Sequence, residues 1–147
     1  MGNVLYIVNV EAAIYFEDKW LIIKRSDLEE HAPGELSLVG GKVENVLNQD
    51  DVLEETLTRE IKEEVGVEIY DQPKYIESKV FTPVGCKPIV DIVFMCKYKS
   101  GEPKCLSRNE VSDVFWLTAK AIFDNDKAPV YLKDSIRKAE KMRLNMG

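Results

Sequence analysis

Apolar residues along this 147-residue chain recur with two periods, and the change of period divides it into strands and helices. Val4–Val10 and Ala12–Phe16 are β-branched and aromatic runs, interrupted at Asn9 and Glu11. Glu17-Asp18-Lys19 is a polar turn and Trp20–Lys24 resumes the apolar run, so Ala12–Lys24 reads as a β-hairpin. Ser26–Gly34 is a polar loop closed by Pro33-Gly34. Tyr75–Thr82 and Ile89–Tyr98 read as strands joined by a turn at Pro83–Pro88, and Glu110–Leu117 as a late strand with Trp116 at its end. Elsewhere the period is helical. Leu53, Leu57, Ile61 and Val65 fall at roughly 0°, 40°, 80° and 120° on a helical wheel, the width of a core-facing stripe. Asn48 or Asp50 is placed to cap that helix and Gly66 to end it. Thr118 can cap a short helix through Phe123. Pro129 opens a last helix with Leu132, Ile136 and Ala139 on one face. The order hairpin, loop, helix, strands, helix predicts an α/β fold, a mixed sheet between helices, in one domain spanning 1–147.

The first helix carries its acids in an awkward place. On the same wheel Arg59, Glu63, Glu60 and Glu64 fall at roughly 240°, 280°, 340° and 20°. Glu60 and Glu64 therefore border the buried stripe or lie within it. Like charges three and four residues apart cost ~0.2–0.5 kcal/mol each even when exposed, and burial raises that cost. One arginine, Arg59, which can reach Glu55 and Glu63, does not balance three carboxylates. Clustered carboxylate oxygens without histidine or cysteine suit Mg²⁺, or Mn²⁺ in its place. A solvated face is the ordinary fate of such a charge run. It explains neither the acids beside the stripe nor the brackets of Gly40-Gly41 and Gly66.

The stretch Gly41–Val67 resembles the Nudix box, Gly-x5-Glu-x7-Arg-Glu-U-x-Glu-Glu-x-Gly-U, with U a bulky aliphatic residue. Arg59, Glu60, Ile61, Glu63, Glu64, Gly66 and Val67 match every fixed position of its second half. The first half departs: counting back from Arg59 puts Asp51 where the box has its first Glu. Counting forward from Gly41 reaches Leu47, so Asn45–Asp50 holds a four-residue insertion. Leu36 and Val39 also stand where many members have Trp and Pro. The resemblance implies an α/β/α sandwich and a Mg²⁺-dependent (or Mn²⁺-dependent) pyrophosphohydrolase acting on a nucleoside diphosphate derivative: a nucleoside triphosphate, ADP-ribose or a nucleotide sugar. It implies metal ligands at Gly40 (through its carbonyl), Glu60, Glu63 and Glu64. It makes Arg59 the residue that orients the carboxylates; family members differ in their base, and Glu60 is taken as the base here, with Glu110 the alternative. Arg25 and Lys42 are expected on the substrate phosphates. Two rivals stand beside this reading, a non-catalytic nucleotide-binding sensor and an isomerase of isoprenoid diphosphates. The isomerase would need a catalytic cysteine, and none lies near the box in sequence.

Composition narrows the partners. A net charge of −6 argues against duplex nucleic acid, whose backbone calls for a basic face, but allows a small anionic nucleotide if a metal supplies the positive charge. Cys86, Cys96 and Cys105 are an odd number in no metal spacing and read as reduced thiols of a cytoplasmic protein, with Cys96 in the core. No run is long and apolar enough to span a membrane, and no membrane partner is expected. His31, the only histidine, reads as solvated. Asp91 interrupts an apolar run, as an edge-facing position or a substrate contact. The resemblance leaves room for a homodimer.

Overall fold

The computed structural model describes residues 3–146. Eight strands form one mixed sheet: β1 (Ile7–Phe16), β2 (Lys19–Arg25), β3 (Leu36–Ser37), β4 (Val39–Lys42), β5 (Glu68–Ile69), β6 (Lys74–Phe81), β7 (Ile89–Ser100) and β8 (Val111–Thr118). Helix α1 (Val52–Val65) lies between β4 and β5, and α2 (Ala119–Phe123) and α3 (Val130–Asn145) follow β8. β1 is the hub. It pairs antiparallel with β2 at Tyr15–Trp20 and with β4 at Asn9–Lys42 to Ala12–Val39, and parallel with β7 from Ile7–Ile89 to Tyr15–Lys97. β8 and β3 extend the sheet beyond β2, and β5 and β6 flank β7. The hairpin and the late strand form where the sequence predicts. β1 differs, running unbroken through Asn9 and Glu11, because both side chains find polar surroundings on one face of the sheet.

Strand alternation divides the core in two. Val10, Ala12 and Ile14 of β1, with Leu21 and Ile23 of β2, pack on Leu57, Ile61 and Val65 of α1. Ala13 of β1, with Trp20 and Ile22 of β2, packs on the other face against Ile122 of α2 and Leu132, Ile136 and Ala139 of α3. The arrangement is the α/β/α sandwich with a mixed sheet. Cys96 is buried in the first layer. Among the described residues no helix is long and apolar enough to cross a membrane.

Both ends of α1 are informative. Gly66 adopts φ 72° and its N–H reaches the carbonyls of Ile61 and Lys62, the expected left-handed stop. The start departs from expectation, since neither Asn48 nor Asp50 caps it. Asp51 occupies the N-cap position at φ 54°, and its side chain makes no capping hydrogen bond. A capping side chain normally projects from an extended backbone, and the left-handed turn at Asp51 removes that geometry. Asn45 and Asn48 are also left-handed, a conformation that Asn and Asp tolerate better than most residues.

Thr118 caps α2 by accepting from the Ala121 N–H at 3.2 Å, as the sequence suggests.

Candidate active site

The site is built where β4 meets α1. Gly40 and Gly41 lie opposite Glu11 and Val10 of β1. Neither has a positive φ, so the conformational freedom expected of them is not used; close approach is. A Cβ on Gly40 would run into the Val10 carbonyl oxygen, and one on Gly41 into the carboxyl end of Glu60. Gly40 thus lets two strands close up, and Gly41 makes room for an acid from the helix.

Helical spacing brings Glu60 and Glu64 to the same flank of α1. Glu64 is only 6% exposed, and its Oε2 is buried without a hydrogen-bond partner. Burial first, then the charges of Glu60 and Glu110, push its carboxyl up to about 8, while the Gly40 backbone and Arg25 act the other way. Glu60 is raised too, by burial above all and then by Glu63, Glu110 and Glu44, against the pull of Arg59. Arg59 Nη1 lies 3.3 Å from Glu60 Oε1 and 3.7 Å from Glu63 Oε2. It therefore bridges two acids of the cluster, and the pairing with Glu55 expected from spacing does not form; Glu55 instead receives Gln49 Nε2 at 3.4 Å. Glu63 itself is more than half exposed.

Of the other residues singled out in the sequence, Glu110 and Arg25 converge on this place and Lys42 does not. Glu110 is exposed just before β8. Its carbonyl accepts from the Ser26 N–H at 2.9 Å, and its charge raises both Glu60 and Glu64. Arg25, at the end of β2, donates from Nε to the His31 carbonyl at 3.0 Å, and its Nη2 lies 3.5 Å from Glu29. Lys42 is exposed at the end of β4, and among the described residues its amine makes no ion pair.

The donor chemistry suits a hard divalent cation. Its side-chain donors are carboxylates, two of them repel each other out of water, and one presents an orphaned oxygen. Among the described residues no three acidic, His or Cys side chains close around a single point, and Glu63 is drawn towards Arg59. A recess of about 770 Å³ runs along the outer flank of α1, taking in Asp51 and Arg59 but neither Glu60 nor Glu64.

Glu11, which pairs with Gly40 across the β1–β4 ladder, belongs with Asn9 and Asp91 to a polar group that the strand pattern did not reveal. Asp91 is 1% exposed, so the edge-facing position considered for it is overturned. Its Oδ1 accepts from Asn9 Nδ2 at 2.8 Å, and its Oδ2 has no partner unless Glu11 carries a proton. Glu11 is indeed held well above the usual carboxylate range by burial, then by hydrogen bonding to Asp91 and by its charge; Lys79 and Arg25 oppose this. Three polar residues inside apolar runs were the available signal. Their meeting depends on the parallel β1–β7 register, which local pattern does not encode.

A family model, the NUDIX domain, matches residues 5–138. No curated protein matches the chain. Among solved structures it is similar to the MutT protein from Methanosarcina mazei Go1, at 26% identity over 97% of this chain and 99% of that one, with a TM-score of 0.78. It is similar also to a MutT NUDIX hydrolase from Burkholderia pseudomallei (21% identity, 91% and 98% covered, TM-score 0.77). A third is the NUDIX domain of Shewanella oneidensis NrtR complexed with ADP ribose (19%, 97% and 90%, TM-score 0.72).

Proposed function

The chain belongs to the NUDIX domain family as a hydrolase acting on phosphorus anhydrides, and from that premise we propose that it cleaves the diphosphate of a nucleoside diphosphate derivative with Mg²⁺ or Mn²⁺ bound. The observation that carries this reading is the buried, unpartnered Oε2 of Glu64 beside Glu60. Without a cation such a group stays neutral by keeping its proton, as Glu64 does up to about 8; a bound cation would complete it as a carboxylate instead. Glu60, Glu63 and Glu64, with the Gly40 carbonyl, would hold the metal, which when bound withdraws charge from the diphosphate and makes it accept an attacking water. Glu60 takes the water's proton as its oxygen bonds to phosphorus and the bridging P–O bond breaks; Glu110 is the alternative base. Arg59 orients Glu60 and Glu63 through the contacts described above. Arg25 balances phosphate charge; the exposed amine of Lys42 is the weaker assignment. The substrate is a small nucleotide such as a nucleoside triphosphate, ADP-ribose or a nucleotide sugar, and neither duplex nucleic acid nor membrane is a partner. The complex of the Shewanella domain with ADP ribose makes that compound the first to test.

The test is phosphate or nucleotide release from such a panel with and without Mg²⁺. Turnover should appear with the metal and stop with EDTA. Full activity after rigorous metal removal overturns the assignment, and tight nucleotide binding without turnover would favour the sensor reading.

A further inference from the structure

The loop after β2 and the turn between β6 and β7 meet at a thiol and an imidazole. Cys86 is exposed, and its Sγ lies 3.9 Å from His31 Nε2. The pair joins Ser26–Gly34 to Pro83–Pro88, segments 55 residues apart in sequence. It brings together the only histidine and one of the three cysteines. The other two are placed differently: Cys96 is inside the core, and Cys105 is partly covered and packs against the core layer under α1. Cys86 is open to a reagent by its exposure, and the neighbouring turn is open too, since a Cβ built on Gly85 would meet nothing within 4 Å. On its other side the pair is wired to the proposed active site. The His31 carbonyl accepts from Arg25 Nε at 3.0 Å, the Arg25 carbonyl accepts from the Gly34 N–H at 3.0 Å, and the Arg25 charge acts on Glu64.

We propose that Cys86 and His31 form a thiol–imidazole pair that makes Cys86 the chain's modification site for soft electrophiles, hydroperoxides among them, and that modification there displaces Arg25. The thiolate is the reacting form of cysteine, and His31 Nε2 is placed to take the thiol proton. With a hydroperoxide, the sulfur bonds to one peroxide oxygen and the O–O bond breaks. Sulfur is oxidised by two electrons to the sulfenic acid, and the departing oxygen takes up the proton from His31, leaving as water or an alcohol. The added oxygen occupies the gap between the two loops. The His31 main chain shifts with its ring and the Arg25 contact loosens. The consequence for turnover rests on the function proposed above; the reactivity of the thiol does not.

The two parts separate in one experiment. The reduced full-length chain is treated at pH 7 with iodoacetamide, and alkylation of each cysteine is followed over time by peptide mass spectrometry in wild type and in His31→Asn. Cys86 should react about tenfold faster than Cys105, and His31→Asn should slow Cys86 several-fold while leaving Cys105 unchanged. Equal rates at Cys86 and Cys105, or no effect of the substitution on Cys86, overturn the pair. Wild type alkylated at Cys86 should lose turnover several-fold, whereas Cys86→Ser should keep basal turnover and resist the reagent. Full turnover after complete alkylation at Cys86 overturns the link to Arg25. A chain without turnover on any diphosphate that still shows the predicted rates upholds the thiol pair and counts only against the hydrolase reading.

Discussion

The two halves of α1 are held by different means. From Leu57 to Gly66 the helix is fixed by a buried apolar stripe, by a glycine, Gly41, that admits the Glu60 carboxyl, and by a left-handed stop. Its start hangs on a loop with three left-handed Asn and Asp residues, an uncapped Asp51 and a Leu47 that is 87% exposed. Chemistry needs fixed geometry, and Glu60 and Glu64 both belong to the fixed half. The contrast teaches that the departures from the family box fall where the protein invests least in position.

The largest effect is expected from Glu64→Gln. Turnover with Mg²⁺ should fall at least about a hundredfold if Glu64 is the metal ligand proposed above, since such a ligand supplies several kcal/mol of charge stabilisation, while the melting temperature without metal holds or rises. Near-wild-type turnover would move the site elsewhere.

Next come the two glycines, whose added methyl groups would meet different obstacles. Gly40→Ala meets backbone, which does not yield, and should cost about 3 kcal/mol or more, lowering the melting temperature by roughly 10 °C. Gly41→Ala meets the end of a flexible side chain. It should fold with a small thermal change yet lose turnover about tenfold, because the Glu60 carboxyl is moved. Equal thermal losses in the two variants would show that β4 is not packed as described.

A third measurement is stability against pH in EDTA. Glu64 keeps its proton to about 8 in the folded chain, against 4.5 when unperturbed. The folded value is the higher, so unfolding releases a proton between them and stability falls as pH rises from about 4.5 to 8. Glu11 and Glu60 shift in the same direction. The melting temperature should therefore drop between pH 5 and pH 8, and Glu64→Gln should flatten that slope in part. A melting temperature that climbs over this range would contradict the burial of these acids.

The smallest effects belong to the loose half. Asp51→Asn should leave most turnover intact, and deletion of Val46–Gln49 should leave a folded, metal-dependent chain with stability within about 1 kcal/mol of the parent, because loop length enters closure entropy only logarithmically. An Asp51 variant as inactive as the Glu64 one would show that the start of α1 is positioned after all.

Much of this was legible because it is local. The stripe Leu57, Ile61, Val65, the acids beside it, the Gly66 stop, the Thr118 cap and the β1–β2 hairpin each depend on residues a few positions apart, and each forms. What escaped depends on distance or on backbone conformation. Arg59 turned to Glu60 and not Glu55, because burial of Glu60 makes its charge the one in need. Asp51 took a left-handed turn, which Asp tolerates but does not require. Asp91 became buried because a parallel partner strand brought Asn9 and Glu11 to it. The aromatic and apolar runs told which strands exist, but not which would be neighbours.

That parallel pairing also sets an order of events. Ile7–Tyr15 lie against Ile89–Lys97, 82 residues further along for Asn9 and Asp91. Arg25, Gly40, Glu60 and Glu64 all fall inside the loop which this pairing closes. A chain made from its N-terminus therefore presents the box sequence well before β7, the parallel partner of β1, has been synthesised. Contacts this distant in sequence form slowly. Completion of the sheet around the box is thus a late event, since β1, β2 and β4 precede α1 in the chain and β7 follows it.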